Sequence, residues 1–432
     1  MKNITTVILA AGKSSRFKNN TSKIFQDLGG LSIIEHVYQL AKKISKNRIV
    51  FVCNEENIGE LKKKFIGCSF VIQKNQKGTA DAILSAKKYL LHTNALVLFG
   101  DVPLITYASI KKLINNFSKN KLRGSMIAFK TDKPFGYGRV KTQGNFVTSI
   151  VEELNASFKE KKINLCNSGV MLCSSKLLFT HIAKISNKNT KKEKYLPDIF
   201  HILHNIDKSF TYVLSGEDEM LGVNSIKDLI RIDKIYQNKI KDRMIKKGVI
   251  IVEPDTVRLS FDSIVKRGVT IEPFVSIKRG VTIEANVTIK SHSVIETCTI
   301  GKNSLIGPYA RIRPNSKIGE NVKIGNYVEV KNSIIGNNCS ISHLSYVGDS
   351  IFGKNINVGA GTVTCNYDGK KKQKTIVEDG VFIGSNSSLI APIKIGKNST
   401  IGAGSVITDN IPPNSLALER SKLKILKKNR KK

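Results

Sequence analysis

The chain has 432 residues, 41% hydrophobic and 24% charged, the balance of a folded globular protein of two or three domains. Its formal net charge of +36 comes mostly from lysines in both halves, and with no tryptophan and 7% aromatics it reads as a lysine-rich composition that gathers small anions rather than a nucleic-acid surface. No stretch reaches the roughly 18 apolar residues of a membrane span, the N-terminus runs straight into a strand pattern instead of a cleavable signal, and the seven scattered cysteines form no C-x-x-C pair, so a cytoplasmic protein with reduced thiols is expected, with no membrane partner.

Short apolar runs at 4–10, 49–53, 69–72 and 95–99 alternate with helical spacing such as Ile33, Ile34, Val37, Leu40, Ala41 and Ile44. The first hundred residues therefore read β-α-β-α-β: a doubly wound, mostly parallel sheet that takes ligands beyond the carboxyl ends of its strands. Residues 225–247 predict one helix, with Ser225 as N-cap, Asp228 at N3, Gly248 past its end and an apolar stripe of Ile226, Leu229, Ile230, Ile240 and Met244. From Val269 the chain repeats in hexads (VTIEPF, VSIKRG, VTIEAN, VTIKSH), and the beat continues through Ile306, Ile312, Ile318, Ile324 and Val330. A fixed period of six predicts a parallel β-helix over about 249–410, whose coils bury their apolar face only by stacking. The basic end KLKILKKNRKK is expected to be a solvated tail.

Two groups of residues carry chemistry. After the first strand comes LAAGKSSRF, with Lys23 seven residues past Arg16, and the fourth strand ends in FGDVPL, which sets Asp101 at the same sheet edge. Small residues after a strand also make ordinary turns, and a lone Asp often caps a loop. Together, a phosphate loop, two cations and an edge carboxylate suit a Mg²⁺-triphosphate. In the β-helix, GPYARIRP (307–314) and NYVEVK (326–331) bring Arg311, Arg313, Glu329 and Lys331 into neighbouring coils, and SHLSYVGD (342–349) adds His343 and Tyr346. Cations on coils are usually solvated, and a coil histidine is usually structural. NVGAGTVTCNYDG (357–369) then breaks the hexad, however, and long excursions from a regular solenoid are usually functional.

In order along the chain, LAAG (9–12), Arg16, Lys23, QKNQKGTADA (73–82), FGDVPL (99–104), GYGR (136–139), VEE (151–153), NSG (167–169) and GVN (222–224) resemble the motifs of sugar-1-phosphate nucleotidyltransferases. With the coil motifs, GSNSSLIAP (384–392), IGAG (401–404) and ALER (417–420), they resemble the bifunctional N-acetylglucosamine-1-phosphate uridyltransferase/glucosamine-1-phosphate N-acetyltransferase family. The resemblance implies an α/β uridyltransferase domain (1–224), a linker helix (225–247) and a left-handed β-helix acetyltransferase domain (248–432). It implies that Leu9, Ala10, Ala11, Gly12, Lys23, Gln73, Gly78 and Thr79 hold UTP, that Phe99, Gly100, Gly138, Glu152 and Asn167 complete the nucleotide-sugar pocket, and that Asp101 and Asn224 bind Mg²⁺. Arg16 and Lys23 would neutralise charge as the sugar phosphate attacks UTP. In the second half, Arg313 and Lys331 would hold the sugar phosphate, and Tyr346 and Asn357 the sugar. Ala360, Asn366, Tyr367, Ser385, Ala403 and Arg420 would contact acetyl-CoA, and His343 would be the general base, with Glu329 as its expected orienter. A homotrimer is implied as well, with active sites between neighbouring prisms.

The chain departs from the family pattern at Ser14-Ser15, Ser22 and Asp81. None of these positions removes a charged or metal-binding group, so altered loop stiffness is expected rather than lost activity. Two other readings compete: a nucleotidyltransferase whose β-helix only regulates it, and a non-catalytic assembly module. His343, Lys331 and the Asn366-Tyr367 excursion weigh against the first, and the presence of Lys23, Asp101 and Asn224 against the second.

Overall fold

The computed structural model describes residues 3–12, 17, 22–119, 122–187, 189–190, 192–206 and 210–425. Arg16, the Ser14-Ser15 pair and the tail from 426 lie outside the described residues. The chain divides into two compact units, Met1–Tyr236 and Gln237–Lys432.

The first unit is built on a nine-stranded sheet. Its strands in chain order are β1 (Ile4–Leu9), β2 (Ile49–Cys53), β3 (Ser69–Ile72), β4 (Asn94–Phe99), β5 (Gly124–Lys130), β6 (Arg139–Gln143), β7 (Phe146–Val151), β8 (Leu165–Ser174) and β9 (Phe210–Ser215). Across the sheet they run β3-β2-β1-β4-β8-β5-β9-β7-β6. The first four are mutually parallel, as the alternating pattern predicts, and β8 enters antiparallel between β4 and β5. Both faces are covered, so these strands are mainly apolar, Ile49–Cys53 without a break. Ile4 and Ile8 pack under Ile34, Val37 and Ile44 on one face, while Val7, Val50 and Val97 pack with Ala80 and Ile83 on the other. Because β1 and β4 pair in parallel with Leu9 opposite Phe99, the loop after each strand emerges at the same edge.

A helix spans Ile226–Ile245. Ser225 caps it as predicted: Asp228 N donates to Ser225 Oγ (3.2 Å), which in turn donates to the Asp228 carboxylate (2.9 Å). The predicted apolar stripe holds in part: Ile240 and Met244 are buried and Leu229 packs partly against a core cluster. Ile226 and Ile230 are exposed, and Ile232 buries instead, among Phe17, Leu28, Ile33, Leu104, Leu221 and Val223. Charged neighbours masked this phase, since a helix carrying so many lysines shows little contrast between its faces. In the second unit Gln237 exchanges two hydrogen bonds with the Leu259 backbone (2.9 and 3.0 Å).

The second unit is a β-helix of three parallel sheets with ten, nine and eight strands. Apart from the last pair, each strand pairs with the third one after it, so one coil takes three hexads. The residues that set the beat, from Ile271 through Ile277, Ile283, Ile289 and Ile295 to Ile324, are at most 4% exposed where they line the axis of the prism. Its corners require positive φ. At one corner Asn286, Asn303, Asn321, Asn338 and Asn355 adopt it, and their amides bond from coil to coil at 3.4, 3.3, 3.1 and 3.0 Å. Asparagine tolerates the left-handed region, and the ladder satisfies its amide. At another corner the positive-φ residues are Phe274, His292, Tyr309 and Tyr327, stacked with ring centroids 4.9, 4.7 and 5.2 Å apart. Stacking offsets the backbone cost that such side chains carry there.

Candidate active sites

In the first unit, Leu9, Ala10, Ala11, Gly12, Lys23, Gln73, Gly78, Thr79, Phe99 and Asp101 line one cleft of about 440 Å³. Asn57 Nδ2 donates to Ala10 O (2.8 Å) and Asn54 Nδ2 to Ala11 O (3.4 Å), which pins the loop after β1. Gly100 N donates to Leu9 O (2.9 Å), and a side chain at Gly100 would strike Ile34 Cδ1 at 2.7 Å, so glycine allows the two strand ends to close up. Asn224, 123 residues beyond Asp101 in sequence, arrives because Val223 N donates to Asp101 O (2.9 Å).

The central contact is cationic. Lys23 Nζ lies 2.5 Å from Asp101 Oδ2 and 3.1 Å from Asn224 Oδ1, with the lysine and aspartate side chains 13% and 21% exposed. A single ammonium thus bridges the carboxylate and the amide oxygen expected to hold a metal. Gln73 Nε2 donates to Gly78 O (2.9 Å) and to Asp81 Oδ2 (3.0 Å), so the Asp81 departure acts directly on an expected nucleotide contact.

A second pocket of about 170 Å³ shares Thr79 and Phe99 with the cleft and adds Glu152, Asn167 and Gly169. Gly138 fits against Glu152, where a Cβ would come within 3.1 Å of the carboxylate, and Gly138 O accepts from Asn167 N (2.8 Å). Gly169 has φ +81°, and a Cβ on it would stand 2.5 Å from the Phe99 ring. The sequence reading missed Tyr195, which lines both pockets, and Glu193 in the cleft. Their segment is held by Ala80 N to Lys194 O (3.0 Å) and Leu196 N to Thr79 Oγ1 (2.9 Å). Gly78, at φ +104°, is the residue that lets Lys194 approach, since a Cβ there would lie 2.5 Å from its carbonyl oxygen. The one available signal was that glycine.

In the second unit the expected residues fall into two groups. His343, Ala360, Ser385 and Ala403 stand one above another on successive coils, each just before a corner. The backbone ties run Gly361 N to His343 O (3.4 Å), Asn386 N to Ala360 O (2.7 Å) and Gly404 N to Ser385 O (2.7 Å). Arg420 joins this column, its Cδ 3.8 Å from where a Gly404 Cβ would stand. Asn357 lies in the coil of Ala360, paired with Ser340 below it.

The other group surrounds the excursion. Asn366 Nδ2 donates to Asp349 Oδ2 (2.5 Å) and reaches Tyr346 Oη (3.5 Å), while Asn332 Nδ2 donates to Asp349 Oδ1 (2.5 Å). Buried Asp349 therefore anchors the excursion at its root. Tyr367 is 62% exposed, and its bridge to Lys372 folds the excursion back as a hairpin. Lys372, inside a lysine run that hid it from the sequence reading, stands close to Lys331. The neighbouring Lys372 side chain, desolvation and repulsion from Arg313 lower the pKa of Lys331 against the pull of Asp349. Three cations gathered this closely make a site for a dianion.

Glu329 does not meet the expectation placed on it. Its carboxylate lies 2.7 Å from Arg313 and 3.7 Å from Arg311, and the hydrogen-bond partner of the His343 ring is Asn326, with Nδ1 2.6 Å from Oδ1. The reason is the coil length. Strands stack three hexads apart, so Asn326 pairs with His343 while Glu329 pairs with Tyr346 on the next sheet.

The cysteines are all free, and burial pushes the Cys53, Cys173 and Cys298 thiols up to about 12, which leaves none of these three as a ready thiolate. Among the described residues no three His, Cys, Asp or Glu gather as metal ligands, and no helix is long and apolar enough to cross a membrane.

A nucleotide cleft on a doubly wound sheet, followed by a hexapeptide β-helix with a broken coil, defines a two-domain transferase. Residues 6–196 match the MobA-like NTP transferase domain, 294–377 the GMPPB C-terminal domain and 374–409 the six-repeat bacterial transferase hexapeptide. The bifunctional protein GlmU of Bartonella bacilliformis is 36% identical over 100% of this chain and 96% of its own length. Those of Buchnera aphidicola from Schizaphis graminum (40%, 95% and 93%) and Zymomonas mobilis (38%, 97% and 95%) are similar throughout. The chain belongs to the GlmU family of bifunctional proteins.

Proposed function

We propose that this chain makes UDP-N-acetylglucosamine in two steps: acetyl transfer from acetyl-CoA to glucosamine 1-phosphate on the β-helix, then uridyl transfer from UTP to N-acetylglucosamine 1-phosphate in the N-terminal cleft. The observation that carries this reading is that one chain, related end to end to bifunctional transferases, has both the Lys23–Asp101–Asn224 cluster and the His343 column beside three gathered cations.

For acetyl transfer, Arg313, Lys331 and Lys372 take the sugar phosphate, Tyr346 and Asn357 position the sugar, and Asn366 and Tyr367 meet acetyl-CoA. The column from Ala360 to Arg420, which has small side chains except at its end, leaves room for acetyl-CoA to lie along the corner. His343 takes the proton as the 2-amino group attacks the thioester carbonyl, and CoA leaves as the thiol. For uridyl transfer, the sugar phosphate oxygen attacks the α-phosphorus of UTP and pyrophosphate leaves. The loop after β1, Lys23, Gln73 and Thr79 align the nucleotide, while Glu152 and Asn167 hold the sugar.

The chain suits Mg²⁺ because Asp101 and Asn224 present one carboxylate and one amide oxygen to a point already occupied by an ammonium, so the donor pair accepts a cation and leaves the remaining positions to phosphates. When bound there, Mg²⁺ would neutralise triphosphate charge. The protein would work in the cytoplasm as a homotrimer; the exposed side of the acetyl-CoA column supports a second prism as its other wall.

The test measures CoA thiol release with glucosamine 1-phosphate and, separately, Mg²⁺-dependent pyrophosphate release from UTP and N-acetylglucosamine 1-phosphate. Absence of the first with presence of the second would leave a nucleotidyltransferase with a scaffold β-helix.

A further inference from the structure

The imidazole of His343 is exposed on the outside of the prism, where a side chain with two free torsions has no fixed direction unless something holds it. What holds it is one coil below. The strands Lys323–Asn326 and Ser340–His343 pair in parallel with Asn326 opposite His343, and the ring Nδ1 lies 2.6 Å from Asn326 Oδ1. An amide oxygen only accepts, so Nδ1 carries the hydrogen and Nε2 keeps a lone pair directed away from the coil.

Two local features set this distance. Gly325 is stacked so closely on Ser342 that a Cβ would stand 1.8 Å from the Ser342 carbonyl oxygen, which means that any side chain at 325 would push the two strands apart at this point. Next in the chain, Tyr327 takes the left-handed conformation (φ +55°) and stacks on Tyr309 at 5.2 Å, while Leu344 N donates to Asn326 O (3.0 Å). The corner carrying Asn326 is thus fixed from below by the aromatic ladder and from above by the coil it orients.

We infer that Asn326 is a positioning residue for acetyl transfer: it selects the His343 tautomer and aims Nε2 at the substrate amine. This rests on the reading of His343 as the base. The choice of an amide over a carboxylate has a chemical consequence. A carboxylate at this position would also orient the ring, but it would stabilise the imidazolium and hold the proton that must be passed on to the departing CoA sulfur. The strands on either side of His343, Lys323–Asn326 and Asn357–Val358, carry one charged group, Lys323, so no carboxylate on them takes over that role.

The experiment uses the full chain with three variants: Asn326→Ala, Asn326→Asp and His343→Ala. Asn326→Ala is expected to lower kcat for CoA release roughly 10- to 100-fold with both KM values within twofold, since misaiming a base costs turnover more than binding. Asn326→Asp restores an acceptor and should recover most of kcat at alkaline pH, while moving the acid limb of the kcat profile upward by about one pH unit. Uridyl transfer and the unfolding midpoint should stay unchanged in both. Nitrogen-15 spectra of histidine-labelled protein, assigned by subtraction of His343→Ala, should show the His343 hydrogen on Nδ1 in the wild type and a mixture of tautomers in Asn326→Ala. An Asn326→Ala rate equal to wild type, or an acid limb that does not move in Asn326→Asp, overturns the inference. If His343→Ala itself leaves acetyl transfer intact, the reading of the base has failed instead.

Discussion

Replacing Lys23 with methionine should strengthen metal binding to the nucleotide-free protein. The ammonium lies between Asp101 Oδ2 at 2.5 Å and Asn224 Oδ1 at 3.1 Å, so a divalent cation can reach that pair only by expelling it. The lysine and aspartate side chains are 13% and 21% exposed, too buried for the contact to count as a freely solvated surface pair. A charge-assisted hydrogen bond in such a setting contributes about 2 kcal/mol net, and 1.4 kcal/mol is tenfold in affinity, so Lys23→Met is expected to bind a divalent ion roughly 30-fold more tightly. Mn²⁺ serves as the probe, titrated into nucleotide-free protein and followed by its electron paramagnetic resonance signal, with Asp101→Ala as the variant that should lose the site. With UTP present the sign reverses, because Lys23 is released to the phosphates and its loss then weakens the ternary complex. Equal or weaker Mn²⁺ binding by nucleotide-free Lys23→Met would refute the reasoning, since the ammonium would then not be competing for the donor pair.

Four further outcomes are expected. Asp101→Ala should abolish pyrophosphate release while leaving CoA thiol release nearly intact, and loss of both would count against two separate sites. His343→Ala should lower acetyl transfer by roughly two to four orders of magnitude, measured as thiol release. Asp349→Ala strips the Asn332 and Asn366 amides of their acceptor and should cost the second unit about 2 kcal/mol, seen as a lower unfolding midpoint together with at least tenfold slower acetyl transfer. Lys331 has a lowered pKa, and an ammonium is charged only below its pKa, so affinity for N-acetylglucosamine 1-phosphate should be full at neutral pH and fall as pH rises into a range below that of an ordinary lysine; Lys331→Arg should show no such fall in calorimetric titration.

What could be read from the sequence, and what could not, follows from the range of each interaction. The strands of the first sheet were legible because both faces are buried, which leaves unbroken apolar runs such as Ile49–Cys53. The β-helix was legible because every coil repeats the same burial problem. Contacts between coils were not, because the eye follows the period of six while the partner lies a whole coil away. Glu329 is nearer than Asn326 to His343 in sequence, yet it belongs to another sheet. Lys372 stood unnoticed among Lys370, Lys371 and Lys374, where a lysine-rich composition erases the contrast that marks a functional cation. Tyr195 carried no motif at all, and its place on the cleft wall is fixed by hydrogen bonds from its neighbours Lys194 and Leu196 to residues more than a hundred positions earlier.

The corner that bears His343 shows how a repeat becomes a site. Up the prism its positive-φ positions run Phe274, His292, Tyr309, Tyr327, Leu344, then Gly361, Asn386 and Gly404. The first five are bulky, and four of them stack into a continuous ladder of rings. Above Leu344 the corner narrows to glycine and asparagine, while the residues just before it become Ala360, Ser385 and Ala403. A β-helix with a uniform corner would offer either a filled edge or an open one along its whole length. Here the change from filled to open falls at the His343 coil, so a long ligand lying in the open part ends against Leu344 and Tyr327, with its terminus beside the imidazole. Substituting a large side chain at Ala360 should therefore raise KM for acetyl-CoA, whereas the same change at a corner below Tyr327 should leave it unaltered. Steady-state kinetics of Ala360→Leu against His292→Leu separates the two, and equal effects would mean that the open column does not guide the acyl donor.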